Sequence, residues 1–421
     1  MAAKGITNYA YAGCGGKQSS PTPTGTPDTV KFNPGFYWAV QHGSGGDSTV
    51  NYILSWPTVK TEVNTYAALR GILMRVSWRD IETAKDVYNF AKIDKVVTEL
   101  KALSNGPKRL CIILELKTNK RNPLPPAEQV PPDPICPDYA MTAEYEGGQL
   151  LWVSENSDNV TGYELRLWNA ALVARLKKLS DQFKTRYNDE PYFEMVQFTE
   201  SAVSPVKPGQ VYTIDYPAPP GNYTSSYIQG LKTWVLYTNQ VLTKTIVMQL
   251  CNYPRGEVLT YIPALRDAGV GISCPNSMAD EPGLWTASDP RGIWRWLTRT
   301  DAQTLQDVVP IGPSIQIPEC YYSNMSFDDA GGLNGLGRKP GQGMVPEYGV
   351  SGAKEIIDLL KTAKSNYAFI TRAPLSTGTG NAAINNPDGI IFSDWLDFFA
   401  LPAQASTPHG GLNATKPSKL A

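Results

Sequence analysis

Apolar segments of strand length recur along most of this chain, and helical or loop-forming segments separate them. Several are nearly continuous runs of Val, Ile, Leu and aromatic residues, which is typical of parallel strands covered on both faces. The segments are GFYWAVQHG (35–43), LRGILMRVSW (69–78), RLCIILELKT (109–118), FEMVQFTES (193–201), TIVMQLCNY (245–253), GVGISCPNS (269–277), VVPIGPSIQIPE (308–319) and YAFITRAP (367–374). Strands that alternate with helices favour a single parallel sheet.

Segments with apolar residues at helical spacing follow most of these strands. They are FAKIDKVVTELKAL, ELRLWNAALVARLKKLSDQFKTRY (164–187), SSYIQGLKTWVLYTNQVL, EVLTYIPALRDAG, GAKEIIDLLKTAKS and IIFSDWLDFFAL. We expect the fourth of these helices to be capped by Gly269. The pattern predicts an α/β fold, a (β/α)₈ TIM barrel with long βα-loop insertions, and the alternative is a doubly wound open sheet.

One barrel accounts for a chain of 421 residues if its loops carry insertions. We expect a flexible leader or tether over 1–30, the barrel over 31–402 and a C-terminal tail over 403–421. The segment at about 119–160 contains NPLPPAEQVPPDP and the acidic, aromatic EYEGGQLLWVSEN. It is too long and too rich in proline for a plain connection, so we interpret it as an elaborated insertion.

Charge and composition exclude several classes of function. The 38 Lys and Arg residues nearly balance 39 Asp and Glu residues, so the net charge does not favour a nucleic-acid partner. No run of 18 apolar residues occurs, which predicts no membrane-spanning helix. Two histidines provide little material for a His-rich metal site or a Ser/His/Asp triad, and we expect no metal and no cofactor.

The cysteines divide into two groups. Cys111, Cys251 and Cys274 lie in strand-like apolar runs, where we expect buried, inert thiols. Around Cys14, the sequence AYAGCGGKQSSPTPTGTPD resembles the lipidation site and polar tether of a bacterial lipoprotein. That resemblance implies a lipid anchor at Cys14 and an extracytoplasmic location, whether secreted, periplasmic or surface-anchored. Because MAAKGITNYA lacks the apolar stretch of a signal peptide, a chance match is the alternative.

Barrel enzymes carry their active sites at the C-terminal ends of the strands. Polar and aromatic residues at these ends, and in the loops that follow, are therefore candidate site residues. They are Trp38, His42, Arg75, Trp78, Glu115, Lys117, Thr199, Glu200, Asn252, Tyr253, Asn276, Trp285, Glu319 and Arg372. For Trp38, Trp78 and Trp285, the alternative is a place in the core.

Two glutamates end strands that lie across the predicted barrel from one another, Glu200 on the fourth strand and Glu319 on the seventh. Hydrolysis of a glycosidic bond with retention needs two carboxyl groups about 5 to 5.5 Å apart. The chain is also rich in aromatic residues, with 10 Trp, 22 Tyr and 11 Phe, and flat apolar faces with a polar edge stack well on sugar rings. The structural alternatives are that Glu200 caps a helix or pairs with Arg75, and that Glu319 is a loop residue after Pro318.

The segment SWRDIETAKDVYNFAKIDKVVTELKAL resembles the region after strand two in the retaining (β/α)₈-barrel glycoside hydrolases of clan A. In that clan the acid/base glutamate is on strand four and the nucleophile is on strand seven. The resemblance implies Glu200 as acid/base, Glu319 as nucleophile, and Arg75 as the positive neighbour that keeps the nucleophile ionised. It also implies double displacement on an oligo- or polysaccharide, without metal or cofactor. Glu82, in the same segment, is interpreted as a structural hydrogen-bond partner.

The sequence departs from the clan at Thr199, where the family has an Asn that binds the sugar 2-hydroxyl. A Thr can make one such bond but not the two of an amide. This departure motivates an alternative, a non-catalytic carbohydrate-binding or structural barrel of a cell surface or virion.

A third interpretation is a lyase or aldolase that uses Lys117 as a Schiff base, although an ion pair between Glu115 and Lys117 is the simpler expectation. The residues predicted to bind substrate are Trp38, His42, Arg75, Trp78, Thr199, Asn252, Tyr253, Asn276 and Trp285.

Overall fold

Parallel strands hydrogen-bond side by side around a common axis in the computed structural model of the chain. They are β1 (Gly35–Val40), β2 (Leu69–Ser77), β3 (Arg109–Glu115), β4 (Phe193–Phe198), β5 (Ile246–Leu250), β6 (Gly271–Ser273), β7 (Ser314–Ile315) and β8 (Tyr367–Thr371). The structure describes residues 29–40, 56–117, 120–121, 134–154, 157–203, 212–252, 255–275, 293–315, 349–372, 392–407 and 409–421.

The strand order shows a closed barrel. It runs β6-β5-β4-β3-β2-β1-β8-β7, so that β1 lies between β2 and β8. The two outer strands are joined by three backbone hydrogen bonds: Ile272 N to Pro310 O at 2.8 Å, Gly312 N to Ile272 O at 3.0 Å and Ser314 N to Cys274 O at 2.8 Å. This closure confirms the (β/α)₈ prediction and rules out the open doubly wound sheet.

Helices connect the strands on the outside of the barrel. They are α1 (Trp56–Thr65), α2 (Ala91–Lys101), α3 (Ala170–Tyr187), α4 (Tyr223–Val241), α5 (Arg255–Ala268), α6 (Ile293–Thr298), α7 (Gly349–Thr362) and α8 (Phe392–Ala400). Single helical turns occur at Trp78–Ile81, Asp138–Ala140, Ala143–Tyr145, Pro402–Ala405 and Ser418–Leu420.

Two helix ends show how the sequence sets their bounds. Gly269 ends α5 with φ of 85°, as predicted, and its N–H donates to the carbonyl of Arg266. Helix α3 begins later than predicted, because the side chain of Asn169 accepts a 2.8 Å hydrogen bond from Leu172 N and starts the helix there.

The insertion after β3 folds into a small antiparallel sheet. Its strands are Lys120–Arg121, Gln149–Ser154 and Ser157–Leu165, and the last of these pairs with both others. Leu165 N donates to Leu116 O at 2.9 Å, and Lys117 forms an antiparallel bridge with Glu164. The insertion is therefore attached to the C-terminal end of β3. A two-stranded hairpin of Glu82–Ala84 and Val87–Tyr88 follows β2.

Alternate strand residues supply two separate apolar clusters. Phe36 and Trp38 of β1 face the helices and belong to the large outer cluster. Tyr37 faces the barrel interior, where it packs with Tyr367 and Phe369 of β8. Both faces of the strands are thus buried, as their near-continuous apolar sequences predict.

The three cysteines of the strand-like runs have the predicted environment. Cys111, Cys251 and Cys274 are each fully buried. Burial raises the pKa of Cys111 and Cys251, so both stay protonated and unreactive at neutral pH. Burial is confirmed for all three thiols, and the raised pKa of Cys111 and Cys251 agrees with the prediction that they are inert.

A buried polar cluster fills the N-terminal end of the barrel. The Glu194 carboxylate is fully buried and accepts hydrogen bonds from Asn33 N at 2.6 Å and the Tyr367 hydroxyl at 2.7 Å. It also pairs with the Arg109 guanidinium. Leu420, near the C-terminus, packs against the interior cluster beside these residues. These contacts close the barrel at the end opposite the strand C-termini.

No helix among the residues that the structure describes is long and apolar enough to cross a membrane.

Candidate active site

Glu200 lies at the C-terminal end of β4, where the strand leaves the barrel. Its side chain is partly exposed, and its Oε2 accepts a 3.1 Å hydrogen bond from Asn252 Nδ2. Asn252 and Glu200 are each the second residue after the neighbouring strands β5 and β4, which end at Leu250 and Phe198. The structure therefore brings two predicted site residues together at the expected end of the barrel.

Backbone contacts fix the segments that carry this pair. Ser201 N donates to Leu250 O at 3.1 Å, and Ser201 Oγ accepts from Asn252 N at 2.9 Å. Ser201 is adjacent to Glu200, and the contacts on the β5 side lie at Asn252 itself and two residues before it. The carboxylate and the amide are therefore held on the barrel itself rather than on a long loop.

Thr199 is buried and takes part in the hydrogen bonding between strand ends. Its Oγ1 accepts a 3.0 Å hydrogen bond from Leu116 N, and its own N–H donates to Leu114 O at 3.2 Å. Its carbonyl accepts from Gln249 Nε2 at 2.8 Å. Thr199 thus joins the ends of β3, β4 and β5, a structural task that the sequence did not predict.

Arg75 and Glu115 form an ion pair at the same end of the barrel. Arg75 lies two residues after the interior residue Leu73 on β2, so both side chains are on the same face of the strand. The Arg75 guanidinium lies 3.4 Å from Glu115 Oε1 on β3. The two side chains are 37% and 11% exposed. This places a cation that is open to solvent beside a shielded carboxylate.

Lys117 does not form the predicted ion pair with Glu115. Its Nζ donates to the carbonyl of Ala202 at 3.1 Å, beyond the end of β4. The predicted ion pair with Glu115 is therefore wrong. Lys117 forms a backbone bridge with Glu164, and this pairing directs the Lys117 side chain toward the segment after Glu200.

Sequence reasoning missed two buried residues, Tyr227 and Glu164, that interact electrostatically with each other. The Tyr227 hydroxyl on α4 is fully buried. Burial is the largest cause that raises its pKa well above the usual value, and the charge of Glu164 and a smaller contribution from Glu200 raise the pKa further. Glu164, in the insertion, is itself buried. Tyr227 therefore stays protonated at neutral pH. Both residues lie within predicted helical segments, and nothing in their local sequence points to the site.

Trp38 is not part of the site. It is 0% exposed and faces outward from β1, where its ring meets Phe399 of α8 edge-on at 5.3 Å. A sugar cannot reach this ring, so the predicted substrate role does not fit its position. Trp38 is a core residue between barrel and helices.

Trp78 is also shielded from substrate, but by the insertion rather than by the outer helices. It begins the helical turn after β2 and is 1% exposed. Its Nε1 donates to Glu82 Oε2 at 2.7 Å, and Tyr139 of the insertion covers its ring at 6.1 Å. The ring is therefore enclosed by the insertion rather than open to substrate.

Glu82 and Arg372 have structural partners. Glu82 is fully buried and accepts from Trp78 Nε1, from Asp86 N at 2.9 Å and from the Arg175 guanidinium, in agreement with its interpretation as a structural residue. Arg372, at the end of β8, forms two hydrogen bonds of 2.7 and 2.8 Å with Glu62 of α1. Both charges stabilise the layer between the barrel and its helices.

The remaining predicted site residues lie outside the described residues. Strand β7 ends at Ile315, shortly before Glu319 in the sequence. The residues concerned are His42, Tyr253, Asn276, Trp285 and Glu319. Within the described ranges, no group of three or more His, Cys, Asp or Glu residues is placed to hold a metal ion.

Comparisons with known proteins give only distant structural likenesses. No protein-family model and no curated protein matches the sequence. An endo-glycoceramidase II from Rhodococcus sp., in complex with a five-membered iminocyclitol, is 12% identical, with 89% of this chain and 80% of that chain covered and a TM-score of 0.47. The exo-beta-1,4-mannosidase Op5Man5 from Opitutaceae bacterium strain TAV5 is 10% identical, with 91% and 63% covered and a TM-score of 0.48. A GH5_18 protein from Bifidobacterium longum subsp. infantis is 8% identical, with 88% and 79% covered and a TM-score of 0.45.

At these identities and TM-scores, the likenesses carry no inference about family or chemistry. The barrel is established by its own strand order and closure.

Proposed function

We propose that this chain is a retaining glycoside hydrolase that cleaves an oligo- or polysaccharide, with Glu200 as the general acid/base and Glu319 as the nucleophile. The observation that best supports the proposal is the hydrogen bond from Asn252 to Glu200 at the open end of a closed barrel. A partly exposed carboxylate held in one orientation on rigid strands is what a proton-transfer group requires. Glu319 follows β7, whose C-terminal end lies on the same rim of the barrel.

The proposed reaction has two displacements. Glu319 attacks the anomeric carbon while Glu200 donates its proton to the leaving oxygen, so that a glycosyl ester forms and an alcohol leaves. Glu200, now ionised, takes a proton from water, which attacks the same carbon and releases Glu319. The sugar leaves with its original configuration, and both carboxyl groups return to their starting states.

Neighbouring residues have supporting roles in this proposal. Asn252 orients the Glu200 carboxylate through its amide. Arg75, paired with Glu115 and partly open to solvent, is the proposed positive neighbour of the nucleophile. The proposed substrate contacts are His42, Tyr253, Asn276 and Trp285. The proposal also includes a lipid anchor at Cys14 and an extracytoplasmic location.

One observation favours the second candidate, a barrel that binds carbohydrate without cleaving it. The Thr199 side chain is buried and its hydroxyl accepts a hydrogen bond from Leu116 N between two strands, so it is shielded from a sugar hydroxyl. A chain that lacks the 2-hydroxyl contact of the family loses an interaction that strengthens in the transition state.

Azide rescue tests the first candidate and the two roles together. We expect Glu200→Ala to lose about 10²–10⁴-fold in kcat on aryl glycosides with poor leaving groups. Azide should restore turnover on activated aryl glycosides and yield a glycosyl azide of retained configuration, seen by NMR. Glu319→Ala should lose activity on every leaving group, and any azide product should have inverted configuration.

Glu144→Gln is the matched control, because this carboxylate is exposed and pairs only loosely with Lys85 at 3.8 Å. It should hydrolyse aryl glycosides like the wild type. Wild-type turnover in either Glu200→Ala or Glu319→Ala would reject the assignment. Binding of glycans without hydrolysis by the wild-type chain would support the second candidate instead.

A further inference from the structure

A groove with a cavity volume of about 670 Å³ lies between the N-terminal halves of α3 and α4, outside the barrel mouth. One wall is apolar and contains Trp168 and Val173, while Asn222, Ser226 and Gln229 line the opposite wall. Lys177 is the charged residue among the described lining residues. The size is within the range of pockets that hold small ligands.

Trp168 forms a rigid platform in the apolar wall. Its Nε1 donates to Glu146 Oε2 at 2.9 Å, and the Arg166 guanidinium lies 5.5 Å from the ring centroid. Tyr223 meets the ring nearly edge-on, with 6.3 Å between centroids. These contacts fix the orientation of the indole while the side chain stays partly exposed to the groove.

The opposite wall offers hydrogen-bonding groups that the protein does not use. Within the described part of the chain, the side chains of Asn222, Ser226 and Gln229 make no hydrogen bond, and Gln229 is exposed. A ligand in the groove would find an aromatic face on one side and free amide and hydroxyl groups on the other.

Gly230 sets the close approach of the two walls. A Cβ at this position would lie 1.7 Å from the carbonyl oxygen of Leu167, which precedes Trp168. Any side chain at position 230 would therefore push α4 away from the Trp168 segment. Because residue 230 is glycine, α4 stays close to the Trp168 segment, and this distance sets the width of the groove.

We propose that this groove is a second saccharide-binding site, with Trp168 stacking on one face of a sugar ring and Gln229, Ser226 and Asn222 binding its hydroxyl groups. A pyranose ring has an apolar C–H face and a polar rim, and the two walls match these surfaces. The near absence of charge among the described lining residues argues for a neutral ligand. The choice of a saccharide rests on the proposed function.

The groove lies at the same end of the barrel as Glu200. Helix α3 follows the insertion that is attached to the end of β3, and α4 follows β4. Their N-terminal halves therefore lie at the C-terminal ends of the strands. A long polysaccharide held in the groove would be kept near the proposed catalytic residues, which favours a polymer as substrate.

Affinity electrophoresis tests the site in native gels that contain mixed-linkage β-glucan, glucomannan or xylan. Full-length Glu200→Gln protein is used so that the polymer is not consumed. We expect at least one polymer to retard this protein, and Trp168→Ala on the same background to weaken binding by roughly fivefold or more. Trp168→Phe should retain most of the retardation, Gln229→Ala should lose part of it, and the exposed control Gln303→Ala should lose none.

The outcomes separate this site from the proposed hydrolase. With Glu200 intact, Trp168→Ala should leave kcat/KM on a small aryl glycoside unchanged, because that substrate does not reach the groove. No retardation by any of the three polymers, or equal retardation before and after both Trp168→Ala and Gln229→Ala, would overturn the second site. Retardation that depends on Trp168 in a protein that cleaves no aryl glycoside would support the groove and reject the hydrolase.

Trp168 is partly buried, so its variants are checked by thermal unfolding. If Trp168→Ala lowers the melting temperature, the result for the exposed Gln229 decides the question.

Discussion

Asn252 Nδ2 donates a 3.1 Å hydrogen bond to Glu200 Oε2, and each residue is the second after the end of its strand, β5 and β4 respectively. Hydrogen bonds from the Ser201 backbone N–H to Leu250 O and from Asn252 N to the Ser201 hydroxyl lock the same two chain segments together. The orientation of the Glu200 carboxylate is therefore set by the register of β4 and β5.

The first prediction concerns this hydrogen bond. Asn252→Ala leaves Glu200 without the amide that orients it, and hydrogen bonds to charged groups contribute about 1.5–3 kcal/mol. We expect kcat/KM on aryl glycosides to fall by about 10- to 150-fold, with the largest loss for poor leaving groups, which depend most on the acid. Asn239→Ala removes an exposed amide that bonds Ala268 O and serves as control. A loss that is equal for all leaving groups would contradict a role in orienting the acid.

The second prediction separates structure from substrate binding at Arg372. This residue is buried and forms two hydrogen bonds with the buried Glu62. Arg372→Met leaves that carboxylate without its partner, so the free energy of unfolding should fall by about 3–5 kcal/mol. KM for aryl glycosides should stay unchanged in the folded fraction. Lys364→Met, which removes an exposed pair with Asp307, should cost less than about 1 kcal/mol in urea unfolding.

The third prediction concerns the polar cluster at the N-terminal end of the barrel. Glu194→Ala leaves Arg109 and the Tyr367 hydroxyl without this acceptor inside the protein, and it removes the shorter of the two hydrogen bonds that Asn33 N donates. We expect a loss of about 3–5 kcal/mol in the free energy of unfolding, measured by urea titration. Asp189→Ala breaks an exposed pair with Lys244 and should change stability by less than about 1 kcal/mol. Similar values for the two variants would show that the cluster does not stabilise the barrel.

The fourth prediction is a pH dependence of stability that originates at Lys108. The residue is 7% exposed, and its amine donates to the carbonyls of Tyr66 and Leu69. Burial, with a smaller contribution from the charge of Arg70, lowers the pKa of Lys108 to about 7. In the unfolded chain the pKa is about 10.4. Between these values the unfolded chain binds more protons than the folded protein, so the free energy of unfolding rises with pH.

We expect Lys108→Met to remove this rise, which amounts to at most about 1.4 kcal/mol per pH unit. Urea unfolding at pH 6, 7, 8 and 9 measures it. Below pH 7 the two proteins should show parallel pH dependence, because Lys108 is then protonated in both states. Curves that stay parallel from pH 7 to 9 would contradict the prediction.

The strands could be predicted from sequence because each is buried on both faces. The same property hides which face a given side chain occupies. Phe36, Tyr37 and Trp38 are all apolar, so the alternation gives two sets of residues without showing which set faces outward. Trp38 was therefore assigned to the site although it lies among the helices.

Helix α1 was missed because its apolar stripe is interrupted by charge. Trp56, Val59 and Val63 are buried at helical spacing, but Glu62 is buried beside them. Its partner Arg372 is 310 residues away in the sequence, and local patterns cannot show that contact.

The contact between Glu200 and Asn252 could be predicted from the sequence, because the order and register of the strands determine it. Glu200 and Asn252 end neighbouring strands, so their proximity follows from the barrel. Trp78 and Tyr227 depend on the insertion, through Tyr139 and Glu164 respectively. The packing of an insertion on a barrel end is a tertiary contact that has no periodic signal in the sequence.

The position of β1 between β2 and β8 has a consequence for synthesis of the protein. Gly35 pairs with Tyr367, so the first strand waits for a neighbour that is synthesised more than 300 residues later. At 5–20 residues per second, this delay is on the order of tens of seconds. During that time one edge of β1 has unpaired amides and carbonyls that other nascent chains can bind. Translation speed and chaperone supply should therefore control how much of this protein folds rather than aggregates.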